Sequence, residues 1–213
     1  VDILIATSSA SVVIPNNNLF VDGLNSQLLP YPEDDNYVDT YAKSKAKGEQ
    51  YILRANGSNH QTSPDDILNS KLATVCLRPS IIYACDDSKF GERLLRDEIN
   101  YVFDQGNNII DFGWADNIAL GHVQCCEYML NNSKNSCFHS SNAAAGKAFH
   151  LGQGRGISTK EFYGLKEWGN GKPLSIPLFI MKFLAAFNYN FYQFIGIAPI
   201  DPFLRPDSFN FMA

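Results

Sequence analysis

Apolar positions in this chain fall into short runs separated by polar, turn-forming stretches, and the runs alternate in kind. Asp2-Ile3-Leu4-Ile5-Ala6-Thr7 is short and β-branched, and residues 2–7 read as a buried strand followed at once by serines. Residues 14–36 are rich in Asn, Asp and Pro and read as a loop. Over residues 37–55 the pattern turns helical: Ala42, Ala46, Glu49, Gln50, Ile52 and Leu53 suit a helix, and Asn56-Gly57 is a C-terminal stop. After a polar connection over 58–70, Leu72 to Leu77 reads as a second buried strand that Arg78-Pro79 ends. A loop holding Cys85-Asp86-Asp87, a helix over 91–104 and an extended piece from Asn108 to Trp114 follow. Residues 115–131 carry Ile118, Ala119, His122, Val123, Cys126 and Met129 at helical spacing. Lys147 to Leu151 reads as a strand, and Ser158 or Thr159 caps a helix over 160–168 with Glu161 in its first turn. Strands alternating with helices predict an α/β fold with parallel pairing. In such sheets functional residues gather at the carboxyl ends of strands, where Ser9 and Arg78-Pro79 stand.

The segment 173–203 differs. Ile176 to Phe187 and Phe191 to Ala198 are strongly apolar, but Lys182, Asn188, Asn190 and Gln193 interrupt them. A bilayer span needs about 20 predominantly apolar residues. Three readings stay open: a span, contact with a membrane surface, and an amphipathic helix packed in a substrate lobe, the last preferred.

Composition narrows the classes. A chain of 213 residues, 45% hydrophobic and 18% charged, suffices for one ordinary core with a small appended lobe. Net charge is −5 without a basic stripe, so no nucleic-acid partner is expected. The 5 cysteines, at 76, 85, 125, 126 and 137, are odd in number and include no Cys-x-x-Cys pair. That disfavours both a metal centre and a disulfide framework and fits a reducing compartment. Cys76 and Cys125-Cys126 stand in apolar stretches and read as buried, inert thiols.

Candidate chemistry lies in Tyr41 and Lys45, four apart and so one turn apart on one helix face. A phenol is a poor base at neutral pH, but a neighbouring ammonium favours the phenolate. A serine hydroxyl at the same spot, offered by Ser9, can hold and polarise a substrate oxygen. Together the three form a proton-transfer device for interconverting an alcohol and a carbonyl. The Tyr-x-x-x-Lys spacing alone is common; the serines after an apolar strand raise its weight.

Taken as a set, the motifs resemble the extended short-chain dehydrogenases, and within them the 3β-hydroxysteroid dehydrogenase group, including the sterol-4-carboxylate 3-dehydrogenases. Thr7-Ser8-Ser9-Ala10-Ser11-Val12-Val13 is similar to that group's serine strand, and Tyr41-Ala42-Lys43-Ser44-Lys45 with Glu49 to its active-site helix. Leu77 to Tyr83 is similar to its Arg-Pro-x-x-Ile-Tyr-Gly segment, and Asp111 to His122 to its Asp-Phe-x-x-Val-x-Asn-x-x-x-(Gly/Ala)-His helix entry. Gly146 to Leu151 is a softer match, and the likeness covers roughly residues 1–175. The resemblance implies a partial Rossmann-type parallel sheet with a smaller substrate-binding lobe, divided at residues 1–130 and 131–213. It implies Tyr41 as general acid/base, Lys45 steadying it and bonding the nicotinamide ribose, and Ser9 holding the substrate oxygen with Ser11 beside it. Pro79 and Ser80 would line the nicotinamide pocket of NAD or NADP, and Asp111 and Asn117 the substrate side. The implied activity is oxidation of a 3β-hydroxyl of a steroid or sterol in the cytoplasm or at the endoplasmic reticulum membrane, by a homodimer or with membrane-surface contact. From the residues alone, Asp111 and Asn117 equally suit a turn and a helix cap, His122 a satisfied core histidine, and Arg78 a structural cation.

One departure is large. The family's Gly-x-x-Gly-x-x-Gly turn, which holds the pyrophosphate at a helix N-terminus, is absent; Gly152-Gln153-Gly154-Arg155-Gly156 lies late and reads as a tight turn. The expectation is that the nucleotide-binding strands lie upstream of Val1 and that this chain alone binds dinucleotide poorly. A smaller departure is Ala84-Cys85-Asp86-Asp87 where the family has Gly and then Pro-Gly-Asp. Competing readings are a related dehydrogenase or epimerase for sugar nucleotides or flavonoid-type ketones, and an inactive remnant that binds a partner.

Overall fold

A computed structural model describes residues 2–14, 31–60, 70–84, 101–133, 144–164 and 174–195. Its centre is a parallel sheet. Strand β1 (Asp2–Thr7) pairs in parallel with β3 (Ser70–Pro79), and β3 pairs in parallel on its other side with β8 (Lys147–Leu151). The short β2 (Asn59–His60) runs antiparallel to the start of β3. Register aligns the carboxyl ends: Thr7 stands opposite Leu77, and Leu77 opposite Phe149. The serine run and Arg78-Pro79 therefore emerge at one end of the sheet.

Strand β3 is buried from Ala73 to Pro79, the near-continuous apolar run of a strand covered on both faces. Ala73, Val75 and Leu77 pack with Met129, Ile3, Ile5, Cys125, Phe149 and Leu151. Met129 and Cys125 come from helix α2 (Ala115–Ser133), which covers that face. Gly121 brings α2 close, since a Cβ there would lie 2.7 Å from a methyl of Leu151. By strand alternation Thr74, Cys76 and Arg78 turn to the opposite face, toward helix α1 (Thr40–Arg54). A second cluster joins α1 to the chain after β1: Val12, Val13, Tyr37, Val38, Ala42 and Ala46.

Burial pushes the Cys76 thiol up to about 12, and the Glu49 carboxylate adds to the shift. The thiolate is the reactive form. Iodoacetamide at mildly alkaline pH is therefore expected to leave Cys76 unmodified in the folded protein and to alkylate it after denaturation. Peptide mass spectrometry checks this, and rapid native labelling would contradict it.

The remaining strands form small ladders beside this sheet. β4 (Ile81–Tyr83) pairs in parallel with β7 (Phe112–Trp114), and β6 (Ile109–Ile110) antiparallel with β9 (Ile157–Ser158). β5 (Tyr101–Phe103) pairs in parallel with β10 (Leu174–Ile176). This last pairing corrects the helix expected over 91–104: Tyr-Val-Phe is aromatic and β-branched, and a partner strand captures it. Residues 91–100 of that expectation, and Cys85 and Cys137, lie outside the described residues.

Helix starts follow local chemistry. The Asp39 carboxylate accepts from the Ala42 N–H at 2.6 Å, so α1 opens at Thr40 and not at residue 37. Ser158 caps α3 (Thr159–Gly164) by accepting from the Glu161 N–H at 3.0 Å. The Thr159 hydroxyl donates instead to the Gly106 carbonyl at 3.1 Å and also lies 2.9 Å from the Asn108 side-chain oxygen. Helix α4 (Leu178–Ile195) starts where the Asp104 carboxylate accepts from the Leu178 N–H at 2.9 Å. Among the described residues no helix is long and apolar enough to cross a membrane. α4 exposes Phe179, Phe183, Phe187 and Phe191, spaced four apart along one side.

Candidate active site

The site is built where β1 ends. Ser8 donates its N–H to the Leu77 carbonyl at 2.7 Å. Backbone groups alternate along a strand, so the Thr7 carbonyl turns away from β3. Lys45 Nζ donates to that carbonyl at 2.9 Å. This contact carries the Tyr-x-x-x-Lys helix to the end of the serine strand.

Packing holds the contact in place. Ala42 and Ala46, both 0% exposed, sit against Val12 and Val13, and their small side chains let α1 approach closely. Tyr41 stays open to solvent, 56% exposed, one turn before Lys45. Ser9 caps the 3-10 turn Ala10–Val13: its Oγ accepts from the Ser11 N–H at 3.2 Å and lies 2.9 Å from the Ser11 Oγ. A hydroxyl that accepts still has its own proton to donate, so Ser9 can serve as cap and as donor. Pro79 is buried and Ser80 half-buried at the carboxyl end of β3, the same end of the sheet.

One turn after Lys45, Glu49 anchors α1 to β3. Arg78 Nε donates to both Glu49 oxygens at 3.1 Å, and Arg78 Nη2 lies 2.5 Å from Glu49 Oε1. Tyr31 donates its O–H to Glu49 Oε1 at 2.5 Å, and its ring lies 5.6 Å from the guanidinium carbon. Burial pushes the Glu49 carboxyl up, but hydrogen bonds from Arg78 and Tyr31, the nearby Ser8 hydroxyl and the Arg78 charge outweigh it and hold it below the ordinary value. The Ser8 hydroxyl acts there by proximity, since it makes no hydrogen bond of ordinary geometry among the described residues. Burial and the Glu49 carboxylate push the Tyr31 phenol well above its usual range.

Asp111 and Asn117 meet a different structure. Both Asp111 oxygens accept from the Gln153 N–H, at 3.1 and 3.2 Å, and Asn117 Nδ2 donates to the Gln153 side-chain oxygen at 2.8 Å. A Cβ at Gly152 would collide with Asp111, so the glycine there admits the carboxylate against the turn. These two residues brace the 152–153 turn beyond β8 and are tied to it, not to Tyr41 or Lys45.

His122 is held at both ring nitrogens: Nδ1 lies 2.8 Å from the Ile118 carbonyl and Nε2 2.8 Å from the Thr7 Oγ1. Sequence reading treated Thr7 only as the residue before the serines. Its signal was its position as the last residue of the strand, directly before the serines.

A family model described as the 3-beta hydroxysteroid dehydrogenase/isomerase family matches residues 1–172. The 3beta-hydroxysteroid-dehydrogenase/decarboxylase isoform 2 of Arabidopsis thaliana is 32% identical over 200 residues, covering 91% of this chain and 32% of that protein. The decarboxylating sterol-4-alpha-carboxylate 3-dehydrogenase of Homo sapiens is 26% identical over 191 residues, covering 87% of this chain and 40% of that protein. The chain thus spans well under half the length of these relatives. Among solved structures, the UDP-glucose 4-epimerase of Thermotoga maritima superposes with a TM-score of 0.56 at 19% identity, covering 83% of this chain and 51% of that one. That likeness shows a common α/β architecture.

Proposed function

Because this chain belongs to the 3-beta hydroxysteroid dehydrogenase/isomerase family, we propose that it carries the catalytic and substrate part of an enzyme that oxidises a 3β-hydroxyl of a steroid or sterol to the ketone with NAD(P). The observation that carries this reading is the Lys45–Thr7 contact, which joins the Tyr41 helix to the Ser9 strand end. In this reading Tyr41 takes the proton from the substrate hydroxyl, Ser9 donates to the substrate oxygen beside Ser11, and Lys45 steadies the phenolate. The bound nicotinamide supplies the redox chemistry by accepting hydride from C3.

The residues present fit the nicotinamide end of a dinucleotide. Lys45 commits one N–H to Thr7 and keeps two further donors for Tyr41 and a ribose hydroxyl. Pro79 and Ser80 line the pocket in this reading, and Asp111 and Asn117 shape its far wall through the 152–153 turn. Residues 1–130 act as the dinucleotide-binding part and 131–213 as the substrate lobe. The exposed phenylalanines of α4 favour an apolar substrate over a sugar nucleotide.

The test uses full-length protein with a panel of 3β-hydroxysteroids and of sugar nucleotides and, separately, NAD and NADP, following the reduced cofactor and the product. Turnover on steroid alcohols is expected. Turnover confined to sugar nucleotides, or none with any alcohol, would sink the reading.

A further inference from the structure

We infer that His122 is a positioning residue for Lys45, acting through Thr7, an inference that rests on the functional reading above. The Ile118 carbonyl can only accept, so His122 Nδ1 carries a proton and donates to it across 2.8 Å. In the neutral ring Nε2 is then an acceptor, and the Thr7 hydroxyl donates to it across 2.8 Å. The carbonyl of the same Thr7 accepts from Lys45 Nζ at 2.9 Å. One residue at the tip of β1 is thus gripped from α2 through its side chain and from α1 through its backbone.

Threonine makes this grip effective. Its β-branched side chain has few χ1 options, so fixing the hydroxyl fixes the residue and the direction of its carbonyl. The support behind His122 is rigid: Ile118 and Met129 of α2 are buried, and Gly121 lies close against Leu151. Thr7 itself is exposed, so its bond to His122 adds little to global stability. Its effect falls on the aim of the Lys45 ammonium, and hence on proton transfer at Tyr41.

The test compares Thr7→Val, which keeps shape and carbonyl but loses the hydroxyl, with Thr7→Ser, which keeps the hydroxyl, and His122→Phe, all in the full-length protein. Thr7→Val and His122→Phe are each expected to lower kcat about threefold to tenfold, the size of one lost hydrogen bond. Cofactor KM should rise by no more than that factor, because the Lys45 ammonium that the grip aims also serves the ribose and keeps its other donors. The double variant should be no worse than either single one, because both break the same path. Thr7→Ser should recover most of kcat, since the hydroxyl returns while only the stiffness of the branched side chain is lost.

A second readout does not need turnover: the side-chain 15N signal of Lys45, assigned by its loss in Lys45→Arg. It should shift in Thr7→Val and in His122→Phe and return in Thr7→Ser. An unmoved Lys45 signal, or a lower Tm with kcat intact, would overturn the inference and leave the pair as a simple strap between β1 and α2. If the parent protein turns over no steroid alcohol, the functional reading fails, and the Lys45 signal still decides the positioning.

Discussion

Tyr41→Phe in the full-length protein is expected to remove nearly all turnover, a loss of about 10²- to 10⁴-fold in kcat, the usual worth of a positioned acid/base. Cofactor affinity should stay within about twofold, because the ring and Lys45 remain. The side chain is 56% exposed, so losing the phenol oxygen removes no core packing and the variant should melt with the parent. In the proposed mechanism the Ser9 hydroxyl could still donate to a substrate oxygen, but the phenol oxygen that takes the substrate's proton is gone, and Glu49 on the same helix is buried in its pair with Arg78. Initial rates and cofactor titration together check this. Turnover retained in the Phe variant would remove Tyr41 from the mechanism while leaving the fold untouched.

Glu49→Gln is the second large effect, and it acts on stability. Glu49 is 2% and Arg78 4% exposed, and the pair spans from α1 to the carboxyl end of β3. Taking the carboxylate away from a buried guanidinium costs about 3–5 kcal/mol, because the remaining charge keeps its desolvation penalty without the compensating attraction. The Glu49 carboxyl sits below its ordinary value in the folded state. Its contribution is therefore fully present above the ordinary carboxylate range and is lost as pH falls through the lowered folded value. Tyr31 keeps its proton throughout this window, since its phenol is pushed upward. Urea unfolding at several pH values should show the parent and Glu49→Gln furthest apart near neutrality and converging in acid. A gap that is constant across that range would mean the pair does not act through its charge. Because Glu49 lies one turn past Lys45, the variant should also lose activity in proportion to the loosening of α1.

Much of the frame was legible along the chain because its causes are local. Strand β1 and helix α2 follow from periodicity, and a hydroxyl cap at Ser158 or Thr159 follows from the pattern before Glu161, of which the structure uses Ser158. The helix expected through Tyr101–Phe103 was not, because pairing with Leu174–Ile176, over seventy residues away, decides that segment's state. The candidate site was legible in part. Tyr41 and Lys45 share a helix face by spacing alone, and the serines announce themselves by following an apolar strand. Asp111 and Asn117 were read both as substrate residues and as a turn and cap; their bonds run to Gln153, a partner that no local pattern points to.

The sequence by itself determined which segments of the central sheet and its covering helices become strands and helices, though not Tyr101–Phe103, and which side chains have the chemistry to transfer a proton. These depend on side-chain chemistry and on periods of two and 3.6 residues. Only the tertiary structure decided that Lys45 closes on the Thr7 carbonyl, that His122 holds the Thr7 hydroxyl, and that Glu49 meets Arg78 in the interior. Those contacts join residues from separate elements, and they exist because the parallel register of β1, β3 and β8 brings three strand ends to one edge. Register is a property of packed strands, so the aim of a side chain across it is specified by the assembled core and by no stretch of sequence on its own.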